Sequence, residues 1–233
     1  REFSAMHVSQ ALLLDQMNPE GLTLWLHLNK EDAGLPLTKT VEAQTDAVLL
    51  ETATKMVRHV AVSNQEGGRR EFTSQHVACA LGATPEELGL WSRLDLDYDH
   101  GVALTATLAK QSDRAPAQYQ FKHLSFQEGL FAQHLLIRAE AGWEGWVTDA
   151  TASEFLNNPF MNNTCRIAAG RLGTLLAKRR QTWSFAEHTL GIVGRRALWF
   201  LLEGIETLVK LSLCGNELGG GDAEGIVNLF RAC

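Results

Sequence analysis

A chain of 233 residues, 45% hydrophobic and 21% charged, has the make-up of a globular protein with room for one large domain or two to three small ones. Its net charge of −6 argues against a surface built for nucleic acid or anionic lipid, and no apolar run approaches the roughly 20 residues that cross a bilayer. The four cysteines, Cys79, Cys165, Cys214 and Cys233, fall in no metal or disulfide spacing, which points to a reducing, cytoplasmic setting.

The chain opens at Arg1 without an initiator methionine or a basic-then-apolar signal region, and reads as a piece of something longer. Ser9–Lys30 is apolar at helical spacing but broken by Asn18-Pro19-Glu20-Gly21, and Gly34-Leu35-Pro36-Leu37-Thr38 is a second break. Thr40 is placed to cap a long helix running to about Val60, with Val41, Val48, Leu49, Ala53, Met56, Val57 and Val60 as its buried face. Asn64–Arg70 is polar and glycine-rich and reads as a loop. Thr73 or Ser74 starts a short helix through Ala80, and Thr84-Pro85-Glu86-Glu87 starts the next, with a cap, a proline at the first helical position and a glutamate at the third. Asp95–Gly101 is an acidic turn. Its alternating Asp95, Asp97 and Asp99 lack the glycine and distal glutamate of a calcium loop. Val102, Leu104, Ala106 and Leu108 alternate as in a strand; Gln111–Gln118 is a loop, and Tyr119–Phe121 alternates again.

The following eighteen residues, counted from Tyr119 to Leu136, are the densest signal. Ser125 and Glu128 have capping-box spacing, and Phe126, Leu130, Phe131 and Leu135 mark an apolar helical face. This places His123 just outside the positive end of a helix, where backbone donors favour an anion such as phosphate. Helix, helix, helix, then two strands joined by a loop is the order of a winged helix. From Ala139 to Thr207 the pattern is helical, with breaks at Asn157-Asn158-Pro159 and Asn162-Asn163-Thr164. Trp143, Trp146, Trp183 and Trp199 serve helix packing there, and Lys178-Arg179-Arg180 is a solvated helix end. His59, His76, His100 and His134 show no metal-coordination spacing. Leu208, Leu211, Leu213, Asn216 and Leu218 then fit L-x-x-L-x-L-x-x-N-x-L, the leucine-rich-repeat signature, followed by a glycine-containing loop and a helical-looking Ala223–Leu229. One repeat cannot bury its own core, so the array is expected to continue.

The string YQFKHLSFQEGLFAQHLL resembles the F-x-H-x-x-F-Q-E segment that closes the winged-helix domain of NACHT-type signal-transduction NTPases, the NLR family of innate immunity; Phe121, His123, Phe126, Gln127 and Glu128 carry the match. Asn18-Pro19 with Leu22 is similar to the family's N-P-x-x-L segment, with Glu20 where an apolar residue is usual, and Leu35-Pro36-Leu37-Thr38 is similar to its L-P-x-T hinge. The resemblance implies a mainly α chain in four parts: residues 1–37 closing a first helical domain, 38–136 a winged helix with a small β-hairpin, 137–207 a second helical domain, and 208–233 the first leucine-rich repeat. It implies that His123 contacts the phosphates of a bound nucleotide and that Pro19 packs near the adenine, in the intact protein. The phosphate-cradling G-x-x-x-x-G-K-[ST] is absent from this chain, and so is an apolar strand ending in acidic residues to hold magnesium. The segment is therefore expected to be no enzyme and to hold no cofactor alone, with ATP or ADP and magnesium bound by the whole protein. Expected partners are the upstream nucleotide-binding core in cis, proteins meeting the repeats, and further copies on activation, with neither nucleic acid nor membrane. Two other readings are a non-enzymatic leucine-rich-repeat scaffold and a DNA-binding winged helix. For the latter, the recognition helix Thr84–Leu94 carries Glu86 and Glu87 and only Arg93 as a cation.

Overall fold

The computed structural model describes residues 42–97, 105–112, 115–186, 188–203, 205–219 and 222, with side chains from Glu51 in the first helix and to Ser92 in the third. Expectations placed on Pro19 and its neighbours, on Leu35–Thr38, Thr40, Val41, Val102, Leu104 and Ala223–Leu229 lie outside the described residues, as do the side chains of Val48 and Leu49. Seven α-helices and two small sheets among the described residues make the chain mainly α. It divides into two units, Arg1–Leu130 and Phe131–Cys233.

In the first unit, helix α1 (Glu42–Glu66) buries Ala53, Met56, Val57, Val60 and Ala61, the spacing of a single helical face. It does not end near Val60. Asn64 and Gln65 are buried within it, and the expected loop shrinks to the residues after Glu66. The end is a Schellman motif: the amide of Arg69 donates to the Asn64 carbonyl at 2.8 Å and that of Gly68 to Gln65 at 3.1 Å, with Gly68 at φ 62°. The polar, glycine-rich stretch is the helix's own stop.

Strand β1 (Glu71–Thr73) follows, an element too short to show periodicity in the sequence. Thr73 then caps α2 (Ser74–Leu81), its hydroxyl accepting the His76 amide while the His76 ring accepts the Thr73 amide. Helix α3 (Pro85–Asp97) begins at the expected proline. Glu87 does not serve the helix start: it is buried and meets His59 Nδ1 of α1 at 2.7 Å.

Strands β2 (Thr105–Ala109) and β3 (Gln118–Phe121) complete an antiparallel sheet in the order β1-β3-β2. The expected alternation of β2 breaks at Leu108. The register slips between Thr107 and Ala109, a bulge that leaves Leu108 43% exposed, and the buried residue of this strand is Thr105. Phe72, Trp91, Tyr119 and Phe121 form the aromatic centre of the core, with ring centroids 5.5–6.2 Å apart.

Helix α4 (Leu124–Ala141) contains the point at which the two units divide. In the second unit it is followed by a 3-10 turn (Glu144–Trp146), α5 (Asp149–Asn157), a second 3-10 turn (Pro159–Met161) and α6 (Asn162–Arg179). The expected break at Asn157-Asn158-Pro159 is present. Asn162-Asn163-Thr164 is not a break; these residues are the first turn of α6. Lys178 and Arg179 do form an exposed helix end, whereas the Arg180 guanidinium is engaged by Asp149.

Strand β4 (Thr182–Ser184), α7 (Ile192–Leu202) and β5 (Lys210–Ser212) end the described fold. Trp183 thus sits on a strand and not on a helix; Trp146 packs edge-on against it at 5.1 Å. Helices α6 and α7 approach backbone to backbone. A Cβ on Gly173 would lie 1.8 Å from the Leu201 carbonyl oxygen, and one on Gly170 would lie 1.7 Å from that of Glu203. The neighbouring Ala169 holds φ 39°, ψ −140°, kinking α6.

Strands β4 and β5 run parallel, with Trp183 opposite Leu211, a repeat distance of twenty-eight residues. Asn216 ties the two passes together: its side-chain oxygen accepts the Leu190 amide at 2.6 Å, and its amide donates to the Phe185 carbonyl at 2.9 Å.

Candidate functional site

The sequence-predicted residues fall in two places, one in each unit. The first is the junction of β3 with α4. Tyr119 and Phe121 point from β3 into the core, while Lys122 and His123 turn outward and are exposed. The helix begins at Leu124, one residue ahead of Ser125, and the His123 carbonyl accepts the Phe126 amide at 3.0 Å. Ser125 therefore lies inside the first turn, and the capping pair expected between Ser125 and Glu128 is replaced by contacts to the end of α1.

Those contacts fix the junction from below. Gln127, 0% exposed, donates through Nε2 to the Gln65 side-chain oxygen at 2.9 Å and to the Arg69 carbonyl at 3.0 Å. Glu128 is buried beside Arg70, whose Nη1 lies 3.5 Å from its Oε1. Half-buried Phe126 packs on the core and meets the His123 ring edge-on, with centroids 5.2 Å apart. The F-Q-E part of the motif is thus the anchor, and His123 is the part presented to solvent. Sequence reasoning missed Arg69 and Arg70. Their only signal was adjacency to two glycines, which read as loop composition.

Lys122 and His123 are exposed beside the start of α4, where helix amides favour an anion, while the Arg70 guanidinium is paired with Glu128. Among the described residues, no group of three or more His, Cys, Asp or Glu side chains is placed to hold a metal ion.

The second place is the parallel ladder. Leu208, Leu211 and Leu213 are half-buried, Asn216 is buried, and Leu218 is exposed. Behind Asn216, Asp222 receives Arg195 Nε at 3.0 and 3.1 Å, Trp199 Nε1 at 3.1 Å and the Gly219 amide at 2.9 Å. Burial alone would raise the Asp222 carboxyl, but these donors and the Arg195 charge outweigh it and hold the group below the usual carboxylate range.

The helix considered for DNA reading, α3, presents Glu86 to solvent in its first turn and turns Glu87 inward to His59. Neither is a base-edge donor for a groove. Among the described residues no helix is long and apolar enough to cross a membrane. Comparison of the chain with protein-family models, with curated proteins and with solved structures gives no match.

Proposed function

We propose that this chain is the regulatory part of a cytoplasmic, NACHT-type signalling switch, joining an ATP- or ADP-binding core upstream in cis to a leucine-rich-repeat sensor that meets protein partners. The observation that carries the reading is the build of the β3–α4 junction: buried Gln127 and Glu128 and half-buried Phe126 anchor the helix start beneath an exposed histidine. The helix–strand–helix–helix–strand–strand order, with β3 central in the sheet, supports a winged helix around it.

In this reading the His123 imidazole donates to a terminal phosphate and adds one bond between this domain and the nucleotide core. Exchange of the nucleotide removes the bond and frees the domain to move, a two-state element biased by a ligand and followed by self-association. The chain itself turns over no nucleotide. The test joins this chain to its upstream core and compares ADP release with and without His123→Ala. Faster release and greater self-association in the variant support the reading. Equal release and equal self-association would reduce His123 to a structural residue, and phosphate release from ATP by the chain alone would contradict the non-enzymatic assignment.

A second reading, a repeat scaffold without a switch, is favoured by the twenty-eight-residue ladder between β4 and β5. Partner capture unaffected by the nucleotide present would select it.

A further inference from the structure

We propose that the outward faces of α6 and α7 form a basic docking surface for a partner protein, through a segment of it that mixes carboxylates with apolar side chains; this is independent of both readings above. The two helices carry six cations and no acid, in a chain whose net charge is −6. Four of the six lie on α6 and are its only exposed residues: Arg166, Arg171, Lys178 and Arg179. On α7 the exposed residues are Ile192 and Arg196, while Arg195 is held by Asp222.

The helices lie side by side. Asn162 Nδ2, at the start of α6, donates at 3.2 Å to the Val193 carbonyl near the start of α7, and Gly173 meets the Leu201 carbonyl further along both. Arg166 and Arg196 therefore stand at similar levels, a few residues past each start. Arg171 and Lys178 lie beyond the kink at Ala169, seven residues apart, which is about two turns along one face. Glu203, the residue after α7, ends the acid-free stretch.

Three other arginines, Arg70, Arg180 and Arg195, each meet a carboxylate. Among the described residues none of the five exposed cations does. Arg166 donates to the Asn163 side-chain oxygen and Arg179 to the Glu140 carbonyl, and neither acceptor carries a charge. A surface that meets only water mixes the two signs. Cations gathered without counter-ions repel one another and set up a field that draws an anionic partner. The apolar side chains between them decide the chemistry of that partner. Ile192 is 79% exposed, and Ile167, Leu175 and Phe200 are partly exposed. A segment that alternates carboxylates with apolar side chains satisfies both kinds of group, with arginine forks taking the carboxylates in pairs of bonds. A nucleic-acid backbone answers only the cations, and the acidic excess of the rest of the chain repels it.

The full chain is titrated at low salt with four probes: a short labelled peptide alternating glutamate with leucine and phenylalanine, the same peptide with glutamine for glutamate, a short DNA duplex, and vesicles of anionic phospholipid. The glutamate peptide should bind at least about 10-fold more tightly than the glutamine one, and lose that advantage as salt rises towards about 1 M. Arg171→Glu combined with Lys178→Glu should weaken it about 10-fold or more. The same charge change at exposed Lys55 and Lys110, in the first unit, should not. Both altered side chains on α6 are exposed, so the melting temperature should hold; if it falls, Arg171→Gln with Lys178→Gln gives the same reading with a smaller loss. Equal affinity for the two peptides, equal loss in the first-unit variant, or binding of no probe overturns the proposal. DNA or vesicles bound more tightly than the glutamate peptide, and released by the same reversal, would assign the surface to nucleic acid or to a membrane and also overturn it.

Discussion

Gln127 and Gln65 lie 62 positions apart in sequence, yet their side chains meet at 2.9 Å in a fully buried hydrogen bond. Gln127 shares the same amide with the Arg69 carbonyl, so one side chain holds the start of α4 against the end of α1. Gln127→Leu keeps the volume and removes both bonds, including the one to the Arg69 carbonyl. A loss of about 1–3 kcal/mol is expected. Ser125→Ala, by contrast, removes no cap and should stay within about 0.5 kcal/mol, whereas Thr73→Ala removes a formed cap and should cost about 1 kcal/mol. Urea denaturation midpoints of the three variants check the order.

Asn216→Ala should uncouple the two passes of the ladder. The Leu190 amide is buried and would lose its acceptor, with a cost of about 1–3 kcal/mol. The specific readout is site-resolved hydrogen exchange: Leu190 should lose protection by more than residues of α5. Equal changes throughout would mean that Asn216 acts only on global stability.

Asp222 makes the stability of the second unit pH-dependent. Its folded carboxyl titrates below the unfolded value, about 3.9 for an aspartate, so its contribution is complete above that value and is lost as pH falls through the lower folded one. Asp222→Asn leaves the Arg195 side chain, only 12% exposed, without its charge partner, at an expected cost of about 1–3 kcal/mol near neutrality. The gap between wild type and variant should close below about pH 4. A gap that stays constant from pH 7 to pH 3 would show that the charge is not what stabilises the loop.

Close backbone approach fixes the sign of two substitutions in α6. Gly173→Ala drives a methyl into the Leu201 carbonyl, a fixed backbone atom, and should lower the melting temperature. Ala169→Gly should raise it or leave it unchanged. The φ of 39° at Ala169 is strained for an L side chain by about 1–3 kcal/mol, which exceeds the roughly 0.4–1 kcal/mol that added glycine freedom costs.

Thiol reactivity offers a check of burial. Burial pushes the Cys165 thiol well up from its ordinary value, while Cys79 and Cys214 are exposed. Iodoacetamide under native conditions, followed by peptide mapping, should mark Cys79 and Cys214 and spare Cys165. Native labelling of Cys165 would mean that α6 opens there.

What could be read from the sequence was what is local. The buried face of α1, the Thr73 cap and the proline start of α3 each depend on neighbours within one or two helical turns, and each is present. The three-residue strands β1 and β4 were invisible because so short a strand has no period to detect, whereas β5 lies within the repeat signature, which places a short strand around Leu211 and Leu213. The first pass of the ladder was hidden for another reason. It carries Trp183, Phe185 and His188 where the second carries Leu211, Leu213 and Asn216, so its shape repeats without its letters. At the β3–α4 junction, His123 sits beside a helix start as expected. The burial of Gln127 and Glu128 was not legible, because polar side chains turn inward only when a distant partner, here Gln65 or Arg70, is waiting.

The pairing of Trp183 with Leu211 makes the intervening chain a gauge of length. Deleting or inserting a single residue between Ser184 and Lys210 would move Leu211 to the opposite face of its strand, since side chains alternate with period two. It would also carry Asn216 past the Leu190 amide. Natural variation in this stretch should accordingly exchange residues while preserving their number. The turn between β2 and β3 joins antiparallel neighbours across a loop and is under no such bookkeeping; insertions there should be tolerated, and a tag or reporter placed in it should leave both units intact.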